Sequence, residues 1–534
     1  MKNVGAMAEP AATPSRTSAT SANTSADHDG TYAAYVLAVL VVVYVFNFLD
    51  RQILSILAEH IKADLQLSDA QIGFLYGTAF AVFYALFGIP LGRLADVWDR
   101  RRLISIGLAF WSVMTAASAL AHNFWQLSLA RIGVGVGEAS ASPSAHSLLC
   151  DYFPPRRRAT VLAIYSGGLY IGAGLGLGVG GLIVERWDNA FAGTDAPFGL
   201  RGWQVAFVVV GLPGLLLSLW VRTLREPKRG RYDGLPEVPP ATSNPWRELS
   251  AELRAVIPPF ALFHPALRTQ PRQRAFNLAA AAGIAFIAYE LTQLLGTPAQ
   301  WIALGIGLYA ATSWAQTLRA RDPSAFNLIF QTPSLRYSAL GYSLLAFTGY
   351  GLGFWFPPFF MRTHGVSPAQ AGLILGGTAA VAGWLGTTLG GLWSDRWRQS
   401  NHAARLYVGM FTAILPLPIV AWMLLTGNTT LAYALNLPAG IATSLWIGPG
   451  ASTVQDLVLP RMRAMASAAY LLIVTFIGLA LGPYTIGRLS VALGDLRSAM
   501  LIGLAVNLIA LAFLWLASLH LERDEATRLE RSRS

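Results

Sequence analysis

Asp50 and Arg51 end an apolar run, Tyr35 to Leu49, that carries no other charge. Arg131 and Glu138 lie seven residues apart in a second apolar stretch. That spacing is about two helical turns, so both would share one face roughly 10 Å apart. A charge at a bilayer centre costs roughly 2.5–3.5 kcal/mol on insertion scales, and such residues mark substrate or ion paths. Carboxylates here suit proton chemistry. Burial raises a carboxyl's proton affinity and a nearby guanidinium lowers it. An Asp whose Arg partner swings away would therefore take up a proton and later release it. Asp50 is the candidate acceptor; the alternative is a static ion pair that orients its helix. Glu138 is a second proton site, the counter-ion of Arg51, or a structural partner of Arg131. Arg51 offers a planar donor fork suited to phosphate or carboxylate. Arg131 is either a ligand contact or a donor to carbonyls of the first span. All four would line one cavity.

The elements that position them are membrane helices. Of 534 residues, 54% are hydrophobic and 13% charged, against about 25% charged in soluble proteins. Apolar runs recur near the roughly 20 residues that a bilayer core requires. These figures exclude a soluble enzyme, a disordered chain and a secreted disulfide scaffold. The single cysteine, Cys150, cannot form an internal disulfide. Fourteen spans are predicted, at about 32–57, 70–92, 103–122, 126–150, 160–184, 203–222, 276–295, 299–318, 336–361, 369–393, 404–426, 430–455, 464–487 and 498–520. Residues 1–31 read as a flexible cytoplasmic tail rather than a signal peptide. A six-helix bundle at 32–222, a central linker at 223–335 with two extra helices, a second bundle at 336–520 and a tail at 521–534 follow.

With the N-terminus inside, 31 of the 39 Lys and Arg fall inside and two lie within spans. The outside six are Lys62, Arg186, Arg201, Arg362, Arg488 and Arg497. This bias places both termini in the cytoplasm and points to an integral protein of the plasma (inner) membrane. It also accounts for the +11 net charge without nucleic acid. Clusters such as Arg100-Arg101-Arg102 set orientation and touch anionic lipid.

Two segments match at a shift of 305: Asp151, Pro155, Arg156, Arg158 and Ala159 against Asp456, Pro460, Arg461, Arg463 and Ala464. Gly92 and Asp96 match Gly391 and Asp395 at 299. The chain thus reads as two parallel six-helix halves with a path between them. Gly168, Gly172, Gly176 and Gly180 permit close helix packing; with no strand before them and no Lys-Ser/Thr after, they are not a phosphate loop. Tyr337, Tyr342, Tyr350, Phe354, Trp355 and Phe356 read as ordinary packing plus an interfacial belt. The histidines are dispersed, so no metal site or cofactor is expected. Glu290 is isolated and has no assigned role.

The segment from Gly92 through Asp96 to Arg100-Arg101-Arg102 resembles the loop 2–3 signature of the major facilitator superfamily, although Val97 and Asp99 depart from its usual residues. Arg131-Ile132-Gly133-Val134-Gly135 resembles its fourth-helix signature. Asn47-Phe48-Leu49-Asp50-Arg51, Gly137-Glu138-Ala139 and Gly202-Trp203 are similar to the spinster-like branch. The resemblance implies an all-α membrane protein with the major facilitator fold: two six-helix bundles related by pseudo-twofold symmetry, here with two extra helices. It implies a monomeric, non-enzymatic transporter working by alternating access, coupled to protons, and carrying a lysophospholipid or sphingoid lipid. Alternatives are an organic-anion or sugar-acid symporter and, more remotely, a membrane-embedded lipid enzyme or a non-transporting sensor. It further implies that Asp96 and Arg100 latch the halves together at the cytoplasmic side. Asp395 with Arg396, Asp151 with Arg156, and Asp456 with Arg461 would complete that gate.

Overall fold

The computed structural model describes residues 17–229, 232, 244–256, 271–459 and 462–531. Among the described residues there is no strand, and twelve helices are long and apolar enough to cross a membrane. Three open the first half: α1 (Thr17–Leu65), α2 (Asp69–Val97) and α3 (Arg100–Leu120). A broken α4 follows as Phe124–Glu138 and Ala141–Tyr152, then α5 (Pro155–Ala190) and α6 (Gly202–Arg222). The insertion supplies α7 (Pro271–Leu295) and α8 (Pro298–Arg321). The second half contains α9 (Pro333–His364), α10 (Pro368–Arg398), α11 (Ala404–Leu425), α12 (Thr429–Asp456), α13 (Met465–Leu493) and α14 (Leu496–Ala526). Of these fourteen, α4 and α8 are not among the twelve. Helix α1 starts inside the stretch read as a tail, and the linker residues Glu237, Pro239 and Pro240 lie outside the described residues.

Local sequence sets the ends and the breaks. Ser68 and Gln71 form a capping box on α2, and Asn123 accepts from the Gln126 amide to start α4. Pro143 cannot donate to the carbonyl of Ala139, and its ring crowds that carbonyl. Helix α4 breaks there, immediately after Glu138. Pro449 stands likewise four residues after Leu445, where α12 breaks.

Lipid offers no hydrophobic drive between helices, so close backbone approach must supply packing. One edge of α5 lies on α1: a Cβ at Gly176 would stand 2.8 Å from the Leu49 carbonyl oxygen. The other edge lies on α10: a Cβ at Gly174 would stand 2.6 Å from the Gly376 oxygen. This α5/α10 contact is one seam between the halves. The other is α2 against α13, with Gly77 facing the Leu479 carbonyl. The α7–α8 hairpin covers the second seam. Gly307 sits between Val82 and Phe476, and the Trp301 ring meets Tyr484 at 5.6 Å. The fully buried Asn277 ties the hairpin, donating to Ser313 (3.0 Å) and Gln316 (2.5 Å) and accepting from Tyr309 (2.6 Å).

Candidate functional site

Helix α1 brings Asp50 and Arg51 against α4, which carries Arg131 and Glu138. Arg51 Nη2 donates to Glu138 Oε2 at 2.8 Å. Its guanidinium carbon lies 4.2 Å from the Phe80 ring centre and 4.6 Å from that of Phe48, an arrangement that favours a cation. Arg131 Nη1 donates to the Asp50 backbone oxygen at 3.4 Å. Asp50 Oδ2 accepts from the Thr115 hydroxyl at 3.2 Å, while Oδ1 has no hydrogen-bond partner. Asp50 is 1% exposed and Glu138 0%.

Of the pairings left open by sequence, Glu138 takes Arg51 and Arg131 takes the α1 carbonyl. Asp50 is left without an ion pair. Protonating Glu138 would therefore break a salt bridge, whereas protonating Asp50 would break none. A proton at Asp50 would leave the Arg51–Glu138 pair in place.

A cavity of about 200 Å³ lies between the halves, lined by Gln52, Tyr170, Phe356 and Asn436 among others. Gln52 follows Arg51 directly and accepts from Tyr76 at 3.0 Å. Tyr170 and Thr387 hydroxyls meet across the halves. The α9 aromatics divide. Phe356 lines this cavity, but Trp355 donates to the Pro483 oxygen at 2.9 Å and Phe354 packs on Tyr76 at 4.3 Å. Tyr342 is buried and Tyr337 stacks on His520.

At the end of the bundle far from the termini, Arg362 grips Asp69 with both terminal nitrogens (2.7 and 2.8 Å) and reaches Glu59 at 2.5 Å. Lys62 and Ser490 join Asp69 at 2.7 Å each. Arg362 and Ser490 come from the second half; Glu59, Lys62 and Asp69 come from the first. Sequence reading counted Lys62 and Arg362 as outlying cations but did not find this bridge. The available signal was an acid opening α2 opposite two isolated cations.

At the terminus end the arrangement differs from the expected latch. Arg100 is wholly buried in the first half, bound to Asp151 (2.5 Å), Ser147 (2.9 Å) and Glu226 (2.7 Å). The reason is geometric: α3 begins where α4 and α6 end. Asp96 is exposed and 3.9 Å from Arg93. In the second half Arg405 binds Asp456 and, at 3.0 Å, Asp395. Arg398 joins Asp456 at 3.1 Å. Arg156 and Arg396 are exposed, and Arg461 lies outside the described residues. Each of these ion pairs stays within one half. Arg405 was missed, yet Arg100 plus the repeat's own shift of 305 lands on it, as Asp151 lands on Asp456. Among the described residues no cluster of three or more His, Cys, Asp or Glu could hold a metal.

Comparison with known proteins matches residues 40–483 and 338–533 to the Major Facilitator Superfamily. An MFS-type efflux pump of Mycolicibacterium smegmatis is 28% identical, over 93% of this chain and 96% of the pump. Protein spinster homolog 1 of Xenopus tropicalis is 25% identical, over 92% of this chain and 82% of that protein. Among solved structures, a bacterial homolog of the human lysosomal transporter spinster, inward-facing and occupied, superposes with a TM-score of 0.68. It shares 27% identity and covers 92% of this chain and 98% of its own.

Proposed function

From the premise that the chain belongs to the Major Facilitator Superfamily, whose members are transporters, we propose a proton-coupled carrier of an amphiphilic, lipid-like molecule. The lysophospholipid or sphingoid class fits best. The observation that carries the proton role is Asp50: buried, without an ion pair, and adjoining the Arg51–Glu138 pair. Phe356 and Leu352 give the cavity between the halves an apolar wall, while Gln52 and Asn436 give it polar groups, a mixture suited to an amphiphile.

The positive-inside bias puts both termini in the cytoplasm. The Arg362–Asp69 bridge would then serve as the outer gate, and the ion pairs named above at the terminus end each join residues of one half, an arrangement that fits an inward-facing state. Alternating access requires these outer contacts to break while inner ones form. Arg100–Asp151 and Arg405–Asp456 brace the helix ends that must rock. The exposed Asp96, Arg156 and Arg396, and Asp395 once it leaves Arg405, would meet across the inner side in the outward-facing state.

The test is proton uptake by liposomes containing the protein and an internal pH dye. Lysophospholipids, sphingoid bases and organic anions are added in turn. A ligand-dependent pH change that Asp50→Asn abolishes supports the reading. The same pH change in Asp50→Asn removes Asp50 from the proton path; a response to organic anions alone rejects the lipid class.

A further inference from the structure

A cavity of about 710 Å³ lies between the α7–α8 hairpin and α13, and none of Asp50, Arg51, Arg131 and Glu138 lines it. Its volume falls within the roughly 300–1,000 Å³ typical of ligand pockets. Its walls are mainly apolar, including Trp314, Phe330 and Phe476. The charged residues that line it are two arginines, Arg272 and Arg319, and no carboxylate lines it. Arg272 is the second residue of α7, and Arg319 lies in the last turn of α8. Both cations therefore sit at the terminus end of the hairpin, with the apolar walls running toward the membrane interior. The flank of α7 is bare to the bilayer, with Phe276 60% and Phe286 63% exposed.

We infer that this cavity holds an anionic phospholipid of the cytoplasmic leaflet, its phosphate between Arg272 and Arg319 and an acyl chain along α13. Basic pockets between membrane helices on the cytoplasmic side suit such headgroups. The lipid is a resident ligand, separate from the cargo. Because α8 touches both α2 and α13, the bound lipid cements the hairpin over one seam between the halves.

The experiment titrates phosphatidylglycerol or phosphatidylcholine into detergent-purified protein and counts bound lipid by native mass spectrometry. Phosphatidylglycerol binds preferentially to the wild type. Each arginine contributes about fivefold, so Arg272→Gln combined with Arg319→Gln weakens it roughly 25-fold. Ala315→Trp fills the cavity with both charges intact and also removes the lipid. Asp50→Asn retains it. Equal binding of the two lipids, or unchanged phosphatidylglycerol binding in the double variant or in Ala315→Trp, overturns the site. Loss of binding in Asp50→Asn would assign the signal to the central cavity and overturn it equally.

Discussion

Asp50 and Glu138 are both buried carboxylates, but only one has a cation in contact. That difference predicts opposite behaviour on neutralisation. Asp50→Asn keeps the shape and breaks no ion pair. Its thermal unfolding should stay close to wild type, within about 1 kcal/mol, while ligand-induced proton uptake is lost. Glu138→Gln strands the Arg51 guanidinium in a buried setting, which costs about 3–5 kcal/mol. Adding Arg51→Gln should recover part of that loss in the same melting assay. If Glu138→Gln alone melts like wild type, the pair is not a structural fixture. At this scale the sequence exposed all four charges, because each interrupts an apolar run. It left the pairing open, because Arg51 and Arg131 were both in reach of Glu138 and only the relative rotation of α1 and α4 chooses between them.

Helix pairs obey the same logic of burial and close approach. Arg100 and its repeat mate Arg405 differ in exposure: the Arg100–Asp151 side chains are 0% and 10% exposed, those of Arg405–Asp456 14% and 29%. Water compensates the second pair more readily. Arg100→Gln should therefore destabilise by about 3 kcal/mol or more and Arg405→Gln by about 1 kcal/mol, read by chemical unfolding; equal losses would contradict the burial argument. Glycines on α5 divide similarly. Gly174 faces α10, whereas nothing lies within 4 Å of a Cβ at Gly167. Gly174→Leu should pry the α5/α10 seam apart and speed labelling of a cysteine placed at Ser367, while Gly167→Leu leaves the rate unchanged. The four-residue glycine spacing was legible as a packing face. The second face at Gly174 and Gly181 was not, since α10 comes from the other half.

For the whole molecule, the proposed alternating access would have the far-end bridge hold one of two arrangements of the halves. Arg362 is partly exposed and bidentate on Asp69, and coupling energies between conformational states are typically about 1–3 kcal/mol. Arg362→Gln should then raise the outward-open population roughly 5- to 150-fold. Pulsed electron spin resonance distances between labels across the far end would report it. An unchanged distance distribution would mean that the seam glycines, not the bridge, hold the outer side shut.

The sequence by itself determined the membrane class, the positions of the apolar helices, the twofold repeat and the charges that interrupt apolar runs. Each follows from local composition or from a constant shift, so one dimension suffices. Tertiary structure decided which cation meets which acid, that Arg100 turns into its own half, and that Arg362 crosses to Asp69, 293 residues away. It also decided that the α7–α8 hairpin lies on the α2/α13 seam. These depend on helix rotation, on the breaks set by Pro143 and Pro449, and on which helices become neighbours. Hydropathy along a chain carries none of that, because a membrane helix buries its backbone polar groups in the same way on every face.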